Sequence, residues 1–165
     1  MNNLFQKKIL LIICGGISAY KSLELIRLFK KQNAKVKTIL TTSAKEFVTP
    51  LSVASLSQEK VYDDLFNVEN EAEMDHISLS RWADVVVVAP ATANTISKLS
   101  TGSSDDLAST AILASDKDIF LTPAMNVRMW EHPSTKQNLN KLKSYGYRII
   151  GPEIGDMACG EFGEG

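Results

Sequence analysis

The strongest constraint on the fold lies near the start of the chain, where Lys8-Ile-Leu-Leu-Ile-Ile-Cys14 runs directly into Gly15-Gly16. A continuous apolar run rich in isoleucine suits a central parallel strand covered on both faces, since a strand with one wet face needs only alternate apolar residues. The two glycines break the run, and from Ile17 to Gln32 the spacing turns helical, with Leu25, Leu28 and Phe29 on one side and Lys21, Glu24 and Lys31 outward. The unit is therefore strand, tight turn, helix. It leaves backbone N–H groups and the Ser18 hydroxyl at the start of a helix, where the positive end of the helix dipole favours an anion such as phosphate.

The same grammar repeats along the chain. Val36 to Leu40 reads as a strand that stops at Thr41-Thr42-Ser43, before a helical Ala44-Lys45-Glu46-Phe47. Asp84-Val-Val-Val-Val-Ala89 is a strand that ends at Pro90, with Ala91-Thr92-Ala93-Asn94 as a loop before helical Ile96 to Leu99. A helix over Asp106 to Ser115, a strand over Ile119 to Thr122, a helix over Thr135 to Ser144 and a strand over Arg148 to Ile150 complete the alternation. Such a pattern predicts an α/β fold with a doubly wound parallel sheet, Rossmann-like, that binds ligands outside the carboxyl ends of its strands. With 165 residues, 44% of them hydrophobic and 22% charged, one domain with a full core is expected. Residues 1–150 form that core. Residues 151–165, with five glycines and little apolar periodicity, read as a mobile flap.

Charge narrows the partners. Lys and Arg total 18 against 19 Asp and Glu, and no basic run interleaved with aromatics exists to track a phosphodiester backbone, so nucleic acid is not expected. The opening residues are short and polar, and Ile9 to Cys14 is too brief for a signal segment or a membrane span, which points to a cytoplasmic protein. Two cysteines at opposite ends, Cys14 and Cys159, provide neither metal-ligand spacing nor a disulfide framework. Cys14 inside the apolar strand reads as a small buried hydrophobe, whereas Cys159, in Ala158-Cys159-Gly160, reads as an accessible thiol able to donate a proton.

Several further residues fall at the binding edge. A dinucleotide site needs a third glycine and an acidic residue after the second strand; here that strand ends in Thr41 and Ser43, hydroxyls that suit a phosphate better than a ribose. The glycine pair alone fits a bare tight turn equally well. His76 lies before the Asp84 strand in a stretch too polar for core, where an imidazole can serve as base, acid or charge stabiliser, although an isolated histidine such as His132 is more often a surface group. Asn126 follows Pro123-Ala124-Met125 directly after a strand, so its amide can donate to a carboxylate, or it can simply cap a helix over Val127-Arg128-Met129-Trp130.

Five motifs in order, Gly15-Gly-Ile-Ser-Ala-Tyr-Lys21, His76-Ile-Ser-Leu-Ser-Arg-Trp-Ala-Asp84, Ala89-Pro-Ala-Thr-Ala-Asn-Thr95, Pro123-Ala-Met-Asn-Val-Arg-Met-Trp130 and Ala158-Cys-Gly-Glu-Phe-Gly-Glu-Gly165, resemble the homo-oligomeric flavin-containing cysteine decarboxylases. Among these, the branch acting on phosphopantothenoylcysteine in coenzyme A biosynthesis is the most similar, over nearly the whole chain. The resemblance implies FMN as cofactor, its phosphate surrounded by Gly15, Gly16, Ser18, Thr41 and Ser43 and its flavin ring flanked by Ala91, Thr92, Ala93 and Asn94. It implies catalysis by His76, Asn126 and Cys159, with Asn126, Ala158, Cys159 and Gly160 contacting substrate and no metal. It further implies trimers, often assembled into dodecamers, and a flap that in bacterial members continues past Gly165 toward a phosphopantothenate-cysteine ligase domain. Two departures stand out: Cys14 where serine is common, and a more polar Gly102-Ser-Ser-Asp-Asp-Leu107. Three other readings compete: a relative that decarboxylates a peptide's C-terminal cysteine, a flavin-binding regulatory subunit without turnover, and a nucleotide-dependent oxidoreductase using the glycine turn.

Overall fold

A computed structural model describes residues 4–65 and 74–165. Six parallel strands, β1 (Lys8–Ile13), β2 (Lys35–Leu40), β3 (Val61–Tyr62), β4 (Val85–Ala91), β5 (Asp118–Pro123) and β6 (Arg148–Ile149), form one sheet in the order β3-β2-β1-β4-β5-β6. The chain winds outward from β1 in one direction and then returns to its other side with β4. That reversal makes the carboxyl ends of β1 and β4 the natural crevice for a ligand.

Strand β1 shows why its sequence is apolar throughout. Leu10 and Ile12 enter one core together with Leu79, Val86, Val88, Ile96, Leu99 and Ile112, whereas Leu11 and Ile13 enter the other with Ala19, Ile26, Val36, Leu40 and Val53. Successive side chains of a strand point to opposite faces, so a strand with helices on both sides cannot alternate with polar residues. The first core lies under α3 (Asp75–Trp82), α4 (Ala93–Thr101), α5 (Leu107–Leu113) and α7 (Pro133–Ser144); the second lies under α1 (Lys21–Lys31) and α2 (Pro50–Ser57).

Several local expectations change. The first helix opens as a 3-10 turn over Ile17–Tyr20 before α1, and its inward residues are Ser22 and Ile26, while Leu28 is 50% exposed. The segment after Ser43 is likewise a 3-10 turn, Thr42–Glu46. The short strand β3 and helix α2 escape the apolar pattern, although Thr49-Pro50 is a start signal: the Thr49 hydroxyl accepts from Ser52 N–H at 3.1 Å and Pro50 takes the first turn. The stretch around His76 is not wholly polar surface but α3, with Leu79 fully buried and Ser80 2% exposed. Strand β4 does not stop at Pro90 but runs to Ala91, with a shift of register against β5 between Val88 and Ala91, a place where a ladder lacks nothing for want of a proline N–H. Ala93 and Asn94 belong to α4, because the Thr92 hydroxyl accepts from Thr95 N–H at 3.2 Å and starts the helix three residues earlier than the apolar spacing indicates.

The polar Gly102–Leu107 link has a structural use. Asp106 and Ser109 cap α5 reciprocally, and the Lys98 ammonium bridges Asp105 at 2.7 Å and Asp106 at 2.8 Å, tying α4 to α5. The glycine-rich end also differs from an irregular loop. It forms an antiparallel hairpin, β7 (Ile154–Asp156) with β8 (Phe162–Glu164), in which Ile154 faces Glu164 and Gly155 faces Gly163.

Candidate active site

The carboxyl edge of the sheet is stitched from four loops. Thr41 N–H donates to the Ile13 carbonyl at 3.1 Å, Cys14 N–H to the Pro90 carbonyl at 3.3 Å and Ala124 N–H to the Ala91 carbonyl at 3.1 Å. The loops after β2, β1, β4 and β5 therefore form one continuous rim. Beneath it the buried Ser22 hydroxyl donates to the Ala89 carbonyl at 2.7 Å, fastening α1 to the end of β4.

Gly15 is required at its position by contact. A Cβ there would lie 2.6 Å from the Ser43 carbonyl carbon and 2.7 Å from its oxygen, closer than atoms pack, so the β1 and β2 loops touch only because that carbon is missing. Gly16 is open by comparison, its nearest neighbour being the Thr92 methyl at 3.9 Å from where a Cβ would be. Ser43 and Asn94 are exposed, and Ser18 and Thr92 are half-buried. The glycine turn, the β2 hydroxyl loop and the start of α4 thus meet around one backbone-lined cradle. Thr41 is a partial exception, since its hydroxyl already accepts from Ala44 N–H at 3.3 Å as the cap of the 3-10 turn.

Asn126 occupies the extended residue before α6 (Val127–Glu131) and its Oδ1 accepts from Met129 N–H at 2.8 Å. The capping reading of Asn126 holds. Capping uses the amide oxygen and so turns the NH2 group, with its two donors, outward on an exposed side chain. The hairpin lies on this same turn: a Cβ on Gly163 would sit 3.0 Å from Val127 Cγ2, and Gly165 rests against the Met125 carbonyl. Cys159 sits exposed in the hairpin's turn, closed by Met157 N–H to the Glu161 carbonyl at 2.7 Å, and its thiol lies 3.6 Å from Glu161 Oε2. Ala158 and Gly160 flank it, both exposed.

His76 comes from a different direction. It is half-buried in the first turn of α3, and because α3 leads down into β4 that turn lies toward the carboxyl edge. Among the described residues no hydrogen bond joins His76, Asn126 and Cys159 to one another. His132 caps α7, its Nδ1 accepting from Ser134 N–H at 3.2 Å. The two cysteines contrast sharply: burial pushes the Cys14 thiol from 9.0 up to about 11, against the lowering effect of the Thr95 hydroxyl 3.2 Å away. Cys14 is thus an inert core thiol. Trp130 and Glu164, joined by an indole N–H to carboxylate bond of 3.0 Å, have no reactive character and escape a search for catalytic residue types.

A cavity of about 500 Å3 between Ile112, Lys117, Asp118 and Tyr147 lies at the opposite, amino edge of the sheet and shares no residue with this rim. Among the described residues no helix is long and apolar enough to cross a membrane, and no cluster of three or more His, Cys, Asp and Glu side chains could hold a metal.

The flavoprotein family profile matches residues 2–165. The chain belongs to the flavoprotein family. The cofactor class is therefore a flavin, and the cradle fits one: Gly15 and Gly16 allow close backbone approach, and Ser43 packs against Gly15. This flavoprotein is 46% identical over 159 residues to the coenzyme A biosynthesis bifunctional protein of Haemophilus influenzae, covering 96% of this chain and 40% of that protein. It is 44% identical over 163 residues to the protein of the same name from Escherichia coli, covering 99% of this chain and again 40% of the relative. The flavoprotein thus spans well under half the length of these relatives. Among solved structures, a cysteine-to-serine variant of a PPC decarboxylase, complexed with pantothenoylaminoethenethiol, superposes with a TM-score of 0.85 at 33% identity, covering 97% of this chain and 90% of that one. The FMN-dependent cysteine decarboxylase SpaF gives a TM-score of 0.86 at 27% identity, covering 98% and 91%.

Proposed function

We propose that this chain decarboxylates 4'-phospho-N-pantothenoylcysteine to 4'-phosphopantetheine with FMN as cofactor, a step of coenzyme A biosynthesis. The observation that carries the reading is the stacking of the Cys159 hairpin on the turn that holds Asn126, beside the glycine cradle. A carboxylate-binding amide and a proton-donating thiol stand on one rim with a cofactor seat. The similarity to the bifunctional coenzyme A proteins and to the PPC decarboxylase bound to an enethiol supports the same substrate.

The chemistry explains why both groups are needed. Carbon dioxide leaving a cysteinyl terminus would strand a carbanion with no electron sink. A bound flavin supplies one by taking two electrons from the substrate's thiol-bearing carbon and later returning them. In the residues' terms, His76 assists loss of the thiol-side protons as base or charge stabiliser, and Asn126 holds the carboxylate by its outward N–H donors. Once the C–CO2 bond breaks, its electron pair moves onto the C=S group and an enethiol results. Cys159 then delivers a proton as the enethiol is reduced to the saturated thiol.

Gly15, Gly16, Ser18, Thr41 and Ser43 would hold the cofactor phosphate, and Ala91, Thr92, Ala93 and Asn94 would line the flavin ring. Ala158 and Gly160 let the backbone close on the substrate. Exposed Ile17 (61%) and Tyr20 (57%), beside the cradle, support a homo-oligomer, a trimer or a dodecamer built from trimers, that covers the cofactor edge. A ligase activity, fused or separate, supplies the cysteinyl substrate, and both work in the cytoplasm.

The test is to incubate the flavin-loaded protein with 4'-phosphopantothenoylcysteine and weigh the product. Loss of one carbon dioxide without net oxidation is expected, whereas an enethiol end product would favour a decarboxylase without re-reduction and an unchanged substrate would favour a non-catalytic flavin binder. Cys159→Ser should release the enethiol, and His76→Asn should fail before carbon dioxide forms. Equal, complete failure to form carbon dioxide in both variants would refute the division of labour.

A further inference from the structure

The Cys159 hairpin has little to hold it in place on its own. Its strands are three residues each, and isolated two-stranded hairpins are marginal in water. Gly155 and Gly163 pair across one face, and Gly163 is set on Val127, so this face contributes no side chains to a shared core. The opposite face carries Ile154 and Phe162, 72% and 71% exposed. Among the described residues a single side-chain hydrogen bond ties the hairpin to the rest of the fold, from Trp130 Nε1 to Glu164 Oε2 at 3.0 Å.

The anchor at the other end of that bond is rigid. Trp130 is 7% exposed, packs in the larger core, and donates its backbone N–H to the Asn126 carbonyl at 3.0 Å. The Lys136 ammonium of α7 lies 3.8 Å from the centre of its ring. A cation on the indole face draws electron density from the ring, which makes the N–H a stronger donor to the carboxylate. Lys136, Trp130 and Glu164 therefore join α7, α6 and the hairpin in one line of polar contacts, with Asn126 one helical turn from the indole.

We propose that the Trp130–Glu164 bond is a latch that sets the Cys159 turn at its working distance from Asn126, making Trp130 and Glu164 positioning residues. The functional part rests on the reading that Cys159 protonates the substrate after decarboxylation. A proton donor displaced by an ångström loses much of its effect, whereas the earlier loss of carbon dioxide needs Asn126 and not the Cys159 thiol, so the latch acts on the later step beyond any change in substrate contact by Ala158 and Gly160.

Two readouts test this on the flavin-loaded protein. The first is amide hydrogen exchange across Ile154–Glu164 in Glu164→Ala, Glu164→Gln and Trp130→Phe. Loss of a charge-assisted bond should speed exchange about tenfold in Glu164→Ala and Trp130→Phe, while Glu164→Gln, which keeps an acceptor, should stay within about threefold of the parent. The second is the product ratio: the Ala and Phe variants should release a larger share of enethiol per carbon dioxide formed, and the Gln variant should restore the saturated product. Unchanged exchange in Glu164→Ala, an exposed position whose replacement does not threaten the core, would overturn the latch. Faster exchange together with a Cys159→Ser variant that still forms saturated product would uphold the latch and overturn the role given to Cys159.

Discussion

At the scale of single residues, Asn126 caps a helix and, in the proposed mechanism, also holds the substrate carboxylate. Its oxygen caps α6 and its nitrogen faces out, so the two roles separate by substitution. Asp caps as well as Asn does, yet it offers no donor and repels a carboxylate. Asn126→Asp should therefore leave thermal stability within about 0.5 kcal/mol of the parent, while catalytic efficiency falls by about 100-fold or more as a hydrogen bond to a charged group is lost. Asn126→Ala should lose both, with about 1 kcal/mol of stability gone. Thermal melts beside steady-state rates decide the matter, and an active Asn126→Asp protein would remove the amide from the mechanism. The amide's position was legible, since Pro123-Ala124-Met125-Asn126 follows a strand; the direction of its NH2 group was not, because it depends on Met129 N–H lying 2.8 Å away in the finished turn.

At the scale of elements, the glycine turn acts through the loop it touches. Gly15 and Gly16 look alike in sequence, but only Gly15 is pressed against a backbone, that of Ser43. Gly15→Ala should push the β1 and β2 loops apart, cost about 1–3 kcal/mol as an overpacked site does, and yield protein with less flavin. Gly16→Ala meets only the Thr92 methyl at an ordinary 3.9 Å and should melt near the parent temperature. Melting curves and the flavin-to-protein absorbance ratio of the two variants separate a packing defect from a cofactor defect; equal melting temperatures would contradict the contact. The hairpin was hidden for the opposite reason. Its glycines signal irregular chain, yet here Gly155 and Gly163 pair, and the missing side chain of Gly163 lets the ribbon lie on Val127 of α6. Local propensity predicted a loop, and a tertiary surface turned it into strands.

At the scale of the whole molecule, the two-faced core makes the acid–base state of Cys14 part of the stability of the fold. In the folded chain its thiol stays neutral to about pH 11, while in the unfolded chain it ionises near 9.0. Above the unfolded value the unfolded state loses a proton that the folded state retains, so stability is fully present below pH 9.0 and falls as pH rises toward about 11. The loss over that window amounts to about 2 to 3 kcal/mol. Denaturant titrations should show the parent losing ground relative to Cys14→Ser across this range, and parallel pH profiles would refute the linkage. The run Lys8–Cys14, the valines of β4 and the alternation of strand and helix determined the fold class, because a strand covered on both faces must be apolar throughout whatever its neighbours are. They also placed Gly15, Thr41, Ser43, Thr92 and Asn126 at strand ends, where such folds bind ligands. Tertiary structure alone decided that Gly15 meets Ser43, that β4 continues through Pro90, that Leu28 faces water, and that Glu164 reaches Trp130. Periodicity reports which face of an element is buried, but a contact between residues 28 or 34 positions apart is fixed by how the elements pack, and no local pattern encodes that distance.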